Sequence, residues 1–328
     1  PVTPENLTAV SEAGATVIRS GGLVAFPTET VYGLGANALD SEAVRKVFTA
    51  KDRAADNPLI VHIAKLADLE PIVSEIPEVA DKLMSAFWPG PISLLMKKHP
   101  NMSDAVSSGL DTVVVRMPSH AVARELIKAS GVPIAAPSAN RSGRVSPTTA
   151  EHVKEDLDGR VEIIIDGGPV EFGLESTVID CTTQPPCILR PGSISMDRIR
   201  AVIGRIRVPT KNEVPRSPGM KYRHYSPKAQ LTLIVANNGN FSTALARYLD
   251  NQAPANRSVI NHSGRIDPTI KSYRLPSNPE AAAPLLFKTI RRADEQSTEE
   301  IIIEGWPEAG VGAAIMDRLR KGSTRVIT

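Results

Sequence analysis

This chain of 328 residues has few cysteines, no long apolar run and no excess of one charge. Its two cysteines, Cys181 and Cys187, are too few for a disulfide framework or a thiolate zinc site. This scarcity favours a reduced, cytoplasmic environment. No run of about 18 apolar residues occurs, which excludes a membrane-spanning helix. Residues 1–22 lack the basic start, apolar stretch and small-residue cleavage site of a signal peptide.

Basic and acidic residues are nearly balanced, with 38 Lys and Arg against 36 Asp and Glu. A net charge of +2 excludes a globally basic nucleic-acid-binding protein. Residues 203–228 depart from this balance, because they contain seven basic residues, one glutamate and four prolines. Proline disfavours regular structure, so this stretch is predicted to be an extended basic linker.

The remaining pattern predicts an α/β protein of two domains. Residues 1–202 form the larger domain, 203–230 the linker, and 231–328 a smaller αβα domain of Rossmann-like type. In the larger domain the last strands follow one another with few helices between them, which predicts a mixed sheet. Its strands are predicted at Leu23–Thr28, Leu59–Ala64, Ile92–Lys98, Thr112–Pro118, Pro133–Ala136, Glu162–Asp166, Ser176–Asp180 and Cys187–Arg190.

Several sequence motifs of common enzyme classes are absent. The chain has no phosphate-binding P-loop, no zinc-protease helix and no nucleophile elbow. The segment Gly33–Ala38 fits G-x-G-x-x-A, the dinucleotide fingerprint, but the next helix starts only at Asp40 or Ser41. Since the glycines of that fingerprint must open the helix, a glycine-rich turn is the preferred interpretation.

Hydroxyl and cationic side chains recur where predicted strands end. Pro27–Gly33 contains two threonines, a glutamate and a tyrosine, and Pro137–Gly143 resembles an anion-binding loop of small polar residues. Lys51 and Arg53 either balance a helix dipole or, in an extended stretch, form a clamp for polyphosphate. His62, within an apolar strand, is on general grounds a core histidine. The sequence shows no obvious pair of nucleophile and base. These hydroxyl and cationic side chains therefore favour electrostatic binding of a polyanion over covalent catalysis.

These same motifs, in order and spacing, resemble the threonylcarbamoyl-AMP synthase family. The resemblance to its YrdC-like domain covers about residues 10–200, and residues 217–227 with the final αβα unit resemble the longer, two-domain branch. It rests on Pro27–Leu34, Lys51–Arg53, Asn57–Leu59, Pro137–Asn140, Glu175–Val178 and Leu189–Gly192. The resemblance implies a twisted mixed-sheet domain and an enzyme that converts L-threonine, bicarbonate or carbon dioxide, and ATP into threonylcarbamoyl-AMP and pyrophosphate. It also implies a role in threonylcarbamoyladenosine modification of tRNA, with tRNA or a transferase complex as a further partner.

The resemblance also implies residue roles. Lys51 and Arg53 would be catalytic. Magnesium is expected with the ATP, although no metal ligands can be named. Threonine would contact Thr30, His62, Arg116 and Ser176, and ATP would contact Lys51, Arg53, Asn57, Thr112, Ser138, Ser146, Arg190 and Tyr225.

One hypothesis concerns the linker, whose charge of +6 exceeds what a tether needs. We expect it to fold over the cleft of the first domain as a lid and to bring Tyr225, together with Arg223, to the nucleotide. Two other readings of the whole chain stay open at this point. One is an RNA-binding module without turnover, and the other is an NAD-dependent oxidoreductase.

Overall fold

A computed structural model of the chain describes residues 1–210, 224–236, 240–250, 252, 255–294 and 298–328. It divides into two compact units, the first of residues 1–142 and 146–222 and the second of residues 143–145 and 223–328. Across these described ranges, no helix is long and apolar enough to cross a membrane.

The first unit combines helices with one large sheet. Its helices are α1 (Leu7–Arg19), α2 (Ser41–Lys51), α3 (Glu78–Phe87), α4 (Asp104–Ser107), α5 (Ala121–Ser130), α6 (Ala150–Leu157) and α7 (Met196–Ile203), with a short 3-10 helix at Leu66–Leu69. Its strands are β1 (Val24–Phe26), β2 (Gly33–Asn37), β3 (Ile60–His62), β4 (Ile92–Lys97), β5 (Thr112–Arg116), β6 (Ile134–Ala135), β7 (Ile163–Ile164), β8 (Thr177–Asp180) and β9 (Cys187–Arg190).

These nine strands lie in the order β7-β1-β2-β6-β3-β5-β4-β8-β9. Parallel pairs such as β3 with β5 alternate with antiparallel pairs such as β4 with β5, so the prediction of a mixed sheet is confirmed. Helices pack on the sheet through apolar faces, and α2 buries Val44, Val47 and Phe48. The predicted start of α2 is also observed, because the Asp40 carboxylate accepts from the amides of Glu42 and Ala43.

The sequence interpretation of Gly33–Ala38 as a turn is wrong, since Gly33–Asn37 forms strand β2 between β1 and β6. The glycines of this strand make room for a neighbouring ring. A Cβ atom at Gly35 would lie 2.7 Å from both Phe26 Cε1 and Ile134 Cγ2. Strand propensity is low for glycine, so packing against Phe26 rather than local preference determines this strand. The glycines do not open a helix, which removes the dinucleotide fingerprint.

The second unit is a parallel sheet with helices, as expected for a Rossmann-like domain. Its strands run in the order β12-β11-β13-β10-β14, and every pair described is parallel. The last strand was not predicted. The elements are β10 (Gln230–Ile234), α8 (Phe241–Asp250), β11 (Arg257–Asn261), β12 (Lys271–Arg274), α9 (Pro279–Asp294), β13 (Glu300–Glu304), α10 (Val311–Gly322) and β14 (Arg325–Ile327).

Both ends of the predicted linker are packed rather than free. In the first unit Ile206 is buried in the core, and Arg207 exchanges backbone hydrogen bonds with Ile188 and Pro186 beside β9. In the second unit the buried Tyr225 ring stacks on Phe287, with ring centroids 5.7 Å apart. Apolar contact therefore fixes both ends, and the centre of the linker, residues 211–223, lies outside the described residues.

Candidate active site

The loop between β1 and β2 is ordered by its own hydroxyl groups. The Thr28 Oγ1 donates to the carbonyl oxygen of Val31 at 2.6 Å and accepts from the amide of Thr30 at 3.2 Å. The hydroxyls of Thr28 and Thr30 lie 2.9 Å apart. Threonine hydroxyls commonly close turns in this way, and the result here is a fixed, buried Thr30 hydroxyl.

Strands β3 and β5 place His62 and Arg116 side by side, because the two residues are partners in a parallel register. The Arg116 guanidinium donates to Thr30 Oγ1 at 2.8 Å and to the Gly90 carbonyl oxygen at 3.3 Å. Its Nη2 lies 2.6 Å from Glu29 Oε1 in an ion pair that is almost wholly buried. Three of the predicted threonine contacts, Thr30, His62 and Arg116, thus share one buried location.

His62 is a neutral imidazole in this location. Burial, together with the charge of Arg116, lowers the pKa of His62 to about 3. Its Nδ1 lies 3.2 Å from the carbonyl oxygen of Ile60, and the Phe26 ring meets the imidazole edge to face. A neutral imidazole offers one donor and one acceptor nitrogen, which suits recognition of a hydroxyl group.

The fourth predicted threonine contact, Ser176, precedes β8 and pairs with a predicted ATP contact. Arg190 on β9 donates from Nη2 to Ser176 Oγ at 3.0 Å and from Nε to the Ser176 carbonyl oxygen at 3.1 Å. The hydroxyl of Ser93 on β4 lies 2.7 Å from that of Ser176. All three side chains are buried, so the guanidinium is held by the serine that would face the amino acid.

Lys51 closes α2, and its side chain runs inward to a loop. Its Nζ donates to the carbonyl oxygens of Ser138, at 2.5 Å, and Asn140. Burial, with the nearby charge of Arg53, lowers the pKa of Lys51 well below its ordinary value, while Asp156 acts in the opposite direction. The side chain is 1% exposed, so it does not act as a surface cation at a helix end.

Arg53 follows Asp52, whose φ of 52° ends the helix in the left-handed region. The Lys51–Arg53 pair is therefore not extended, and the clamp formed by an extended i,i+2 pair is wrong in its geometry. Instead, Arg53 donates from Nε to the Asn57 carbonyl oxygen at 3.1 Å and from Nη2 to that of Pro58 at 3.0 Å. Both cations thus brace loops that contain other predicted ATP contacts, Ser138 and Asn57.

The other predicted ATP contacts are more dispersed. Ser146 is buried, and its hydroxyl donates to Glu175 Oε1 at 2.5 Å, next to Ser176. Thr112 begins β5, four residues before Arg116, which places it about 13 Å away along the strand. Tyr225 belongs to the second unit, where the Arg318 guanidinium lies 5.4 Å from its ring centroid.

Two residues of the cluster were not assigned a role from the sequence. Ser93 lies inside an apolar strand, and only its contact with Ser176 singles it out. Glu29 stands beside Thr30 in the motif but pairs with Arg116, 87 positions later in the chain. The available sequence signal was a carboxylate between two threonines at the end of an apolar strand. A carboxylate that is buried at such a place needs a counter-charge. Within the described ranges, no three His, Cys, Asp or Glu side chains gather as a metal site.

Comparison with known proteins finds relatives that match nearly the whole chain. A family model described as "Telomere recombination" matches residues 16–192, and one described as "Threonylcarbamoyl-AMP synthase, C-terminal domain" matches residues 194–324. The chain is 47% identical over 315 residues to the threonylcarbamoyl-AMP synthase of Pyrococcus abyssi, which covers 94% of this chain and 92% of that protein. The Bacillus subtilis threonylcarbamoyl-AMP synthase is 45% identical, covering 94% of this chain and 91% of its own.

A solved structure shows the same architecture. The crystal structure of Pyrococcus abyssi Sua5 complexed with L-threonine superposes with a TM-score of 0.91 and 45% identity, covering 98% of this chain and 96% of that one. Both family models, the relatives and the shared fold lead to one conclusion. The chain belongs to the threonylcarbamoyl-AMP synthase family.

Proposed function

We propose that this protein synthesises L-threonylcarbamoyladenylate from L-threonine, carbon dioxide or bicarbonate, and ATP, with release of pyrophosphate. The observation that carries the proposal is the buried group of Arg116, Thr30 and His62. A guanidinium, a hydroxyl and a neutral imidazole together match the carboxylate and hydroxyl of threonine. Membership of the family and the threonine complex of the Pyrococcus abyssi protein support this assignment.

In this proposal Arg116 binds the threonine carboxylate, because a planar guanidinium can bind a carboxylate through two parallel hydrogen bonds. His62 and Ser176 bind the hydroxyl end. Their burial makes the site selective, since a buried polar group left without a partner costs about 1–3 kcal/mol. An amino acid that lacks the hydroxyl, such as 2-aminobutyrate, would leave such a group unpaired.

Lys51, Arg53 and Arg190 supply the positive charge for ATP. In the structure these side chains donate hydrogen bonds to carbonyl oxygens and to the Ser176 hydroxyl. Such bonds hold the loops of Ser138 and Asn57 in place, so the cations position the nucleotide loops as well as offering charge. Preorganised cations around a developing phosphoryl charge are typically a large part of catalysis in such sites. Thr112 and Ser146 are assigned to ATP on the family resemblance.

The reaction needs threonine as a free amine. The nitrogen lone pair forms the new N–C bond to carbon dioxide, and one C–O π bond breaks to give the carboxylate oxygen of the carbamate. One N–H proton then passes to water. A carbamate oxygen then attacks the α-phosphorus of ATP, the bond between the α-phosphorus and the bridging oxygen breaks, and pyrophosphate leaves. Burial of the site protects the carbamate from water, and the residues act by positioning and charge.

Magnesium enters this proposal as part of the ATP substrate. Mg²⁺ at nucleotide sites is generally held by substrate phosphates with one or two protein carboxylates and waters. Bound in this way, the ion would neutralise phosphate charge.

The lid over the cleft remains a proposal of its own. Tyr225 is anchored in the second unit by Phe287 and Arg318, so delivery of Tyr225 to the nucleotide would involve the core of that unit. Trypsin provides a test, because Arg216, Lys221 and Arg223 are cleavage sites. ATP with threonine should protect them. Cleavage that is independent of ligands, with full activity of the nicked protein, would leave the segment as a tether only.

The biological role follows from the product. Threonylcarbamoyladenylate would be consumed by transfer of the threonylcarbamoyl group to an adenosine of tRNA through separate transferase proteins, as the family resemblance implies. Cytoplasmic location is part of the same proposal and rests on the low cysteine content of the chain.

The experiment that tests the proposal measures pyrophosphate release with each substrate omitted in turn. Release should require both threonine and bicarbonate, because the carbamate must exist before it can be adenylated. Serine should react poorly and 2-aminobutyrate more poorly still. Production of ADP and phosphate, or release that is indifferent to threonine, would reject the proposal.

A further inference from the structure

The Glu29 carboxylate is a buried acidic group of the first unit whose hydrogen bonding is incomplete. The residue is 1% exposed, and among the described residues neither carboxylate oxygen accepts a well-directed hydrogen bond, although the backbone amides of Glu29 and Ser119 lie near enough to lower its pKa. Its Oε1 lies 2.6 Å from Arg116 Nη2, but Nη2 also lacks a properly directed hydrogen bond. A buried charge is costly unless it is both paired and hydrogen-bonded. The ion pair therefore leaves hydrogen-bonding capacity on both partners.

The unused hydrogen-bonding capacity of Glu29 and Arg116 matches the ammonium and carboxylate groups of an amino-acid zwitterion. Arg116 already uses Nε for Gly90 and Nη1 for Thr30, which leaves Nη2 toward Glu29. A carboxylate arriving at Nη2 brings an α-ammonium group within a few ångströms, since both are attached to one carbon. The ammonium has three donors and needs acceptors, and two buried acceptor oxygens lie beside the guanidinium.

We propose that Glu29 binds the α-ammonium group of the amino-acid substrate and accepts one proton from it, which leaves a neutral amine and a protonated Glu29. The inference rests on the proposed function, in which Arg116 binds the substrate carboxylate. The proton moves from nitrogen to a Glu29 oxygen, and the nitrogen keeps the electron pair that later attacks carbon dioxide. Glu29 is then a catalytic residue in contact with substrate, additional to those assigned from the family.

The surroundings of Glu29 favour this transfer once substrate is bound. Burial is the largest influence and acts to raise the pKa of Glu29, but the charge and hydrogen bonding of Arg116, together with the backbone amides of Glu29 and Ser119, outweigh it and hold this pKa below the ordinary value. A substrate carboxylate on Arg116 would share that charge and so make Glu29 more basic. The other titratable groups that sense the Glu29 charge are His62 and His120, whose pKa values burial lowers.

The test compares two ligands that differ only in the α-substituent. L-Threonine carries an ammonium group there, and 2,3-dihydroxybutanoate carries a hydroxyl. Binding is measured by calorimetry with the wild type, Glu29→Gln and a control, Glu70→Gln, at an exposed glutamate. Wild type and control should prefer threonine, and Glu29→Gln should lose that preference by about 30-fold, the typical scale of one charge-assisted hydrogen bond.

The ratio of affinities separates this role from a structural one. If Glu29 only neutralised Arg116, the substitution would change both affinities together and leave the ratio unchanged, which would overturn the inference. If Glu29→Gln does not fold, Glu29→Asp keeps the charge one methylene shorter. It should retain the threonine preference and lower turnover more than binding, and normal turnover would contradict the role. Failure of the wild type to bind threonine would instead reject the proposed function.

Discussion

Arg116 is the residue at which stability and recognition can be separated by two substitutions. Arg116→Ala removes the only counter-charge within ion-pair distance of Glu29 among the described residues. Breaking a buried pair by removing one partner costs about 3–5 kcal/mol. Since domains are typically stable by about 5–15 kcal/mol, this variant should be strongly destabilised, and its loss of activity would not be informative.

Arg116→Lys keeps a positive charge beside Glu29 but loses the planar fork. The bonds to Thr30, at 2.8 Å, and to Gly90, at 3.3 Å, cannot both be kept by one ammonium that also faces Glu29. A substrate carboxylate would then lose a charge-assisted bond, which is worth about 1.5–3 kcal/mol. We therefore expect kcat/KM for threonine to fall by roughly 10- to 100-fold.

The assay is pyrophosphate release against threonine concentration at saturating ATP, with urea denaturation of the same preparation. Arg116→Lys should unfold close to the wild-type midpoint while showing a raised KM for threonine and an unchanged KM for ATP. Arg116→Ala should lower the midpoint clearly. A wild-type KM for threonine in a folded Arg116→Lys protein would refute the assignment of Arg116 to the substrate carboxylate.

Three further predictions concern loops, packing and pH. Arg53→Ala should lower turnover by roughly 100-fold or more, while Arg124→Ala on an exposed helix surface should not, and near-normal turnover of the first would refute its role. Gly35→Ala should lower the free energy of unfolding by about 1–3 kcal/mol in urea, because its Cβ would clash with Phe26 at 2.7 Å. His62, with a folded pKa of about 3 against 6.5, binds fewer protons folded than unfolded. Stability is thus lost as pH falls from 6.5 towards 3, at up to roughly 1.4 kcal/mol per unit, and His62→Gln should flatten this slope.

The sequence predicted strands best where apolar runs are bounded by turns, as for Cys187–Arg190, which matches β9 exactly in its bounds. It failed at Gly33–Asn37, where two glycines and an asparagine argue against a strand. The Phe26 ring that requires a glycine at position 35 lies on the preceding strand, so the reason is a tertiary contact. The local sequence pattern could not reveal this contact.

In the candidate site, too, some features could be predicted from the sequence and others depend on tertiary contacts. Thr30, His62 and Arg116 could be named from the family resemblance, and the structure brings them together. Glu29, the ion-pair partner of Arg116, could not be named, because a pairing across 87 positions depends on how the strands are ordered in the sheet. The bonds from Arg53 to carbonyl oxygens were equally hidden, since spacing does not tell whether a cation faces a ligand or a loop.

The most direct test of the account is the identity of the product. The protein is incubated with ATP, L-threonine and ¹³C-labelled bicarbonate, and the reaction is analysed by mass spectrometry. The account predicts threonylcarbamoyladenylate that carries the label in its carbamoyl carbon, formed together with pyrophosphate and absent when threonine is omitted. A threonyl adenylate without the labelled carbon, or no adenylate at all, would contradict it.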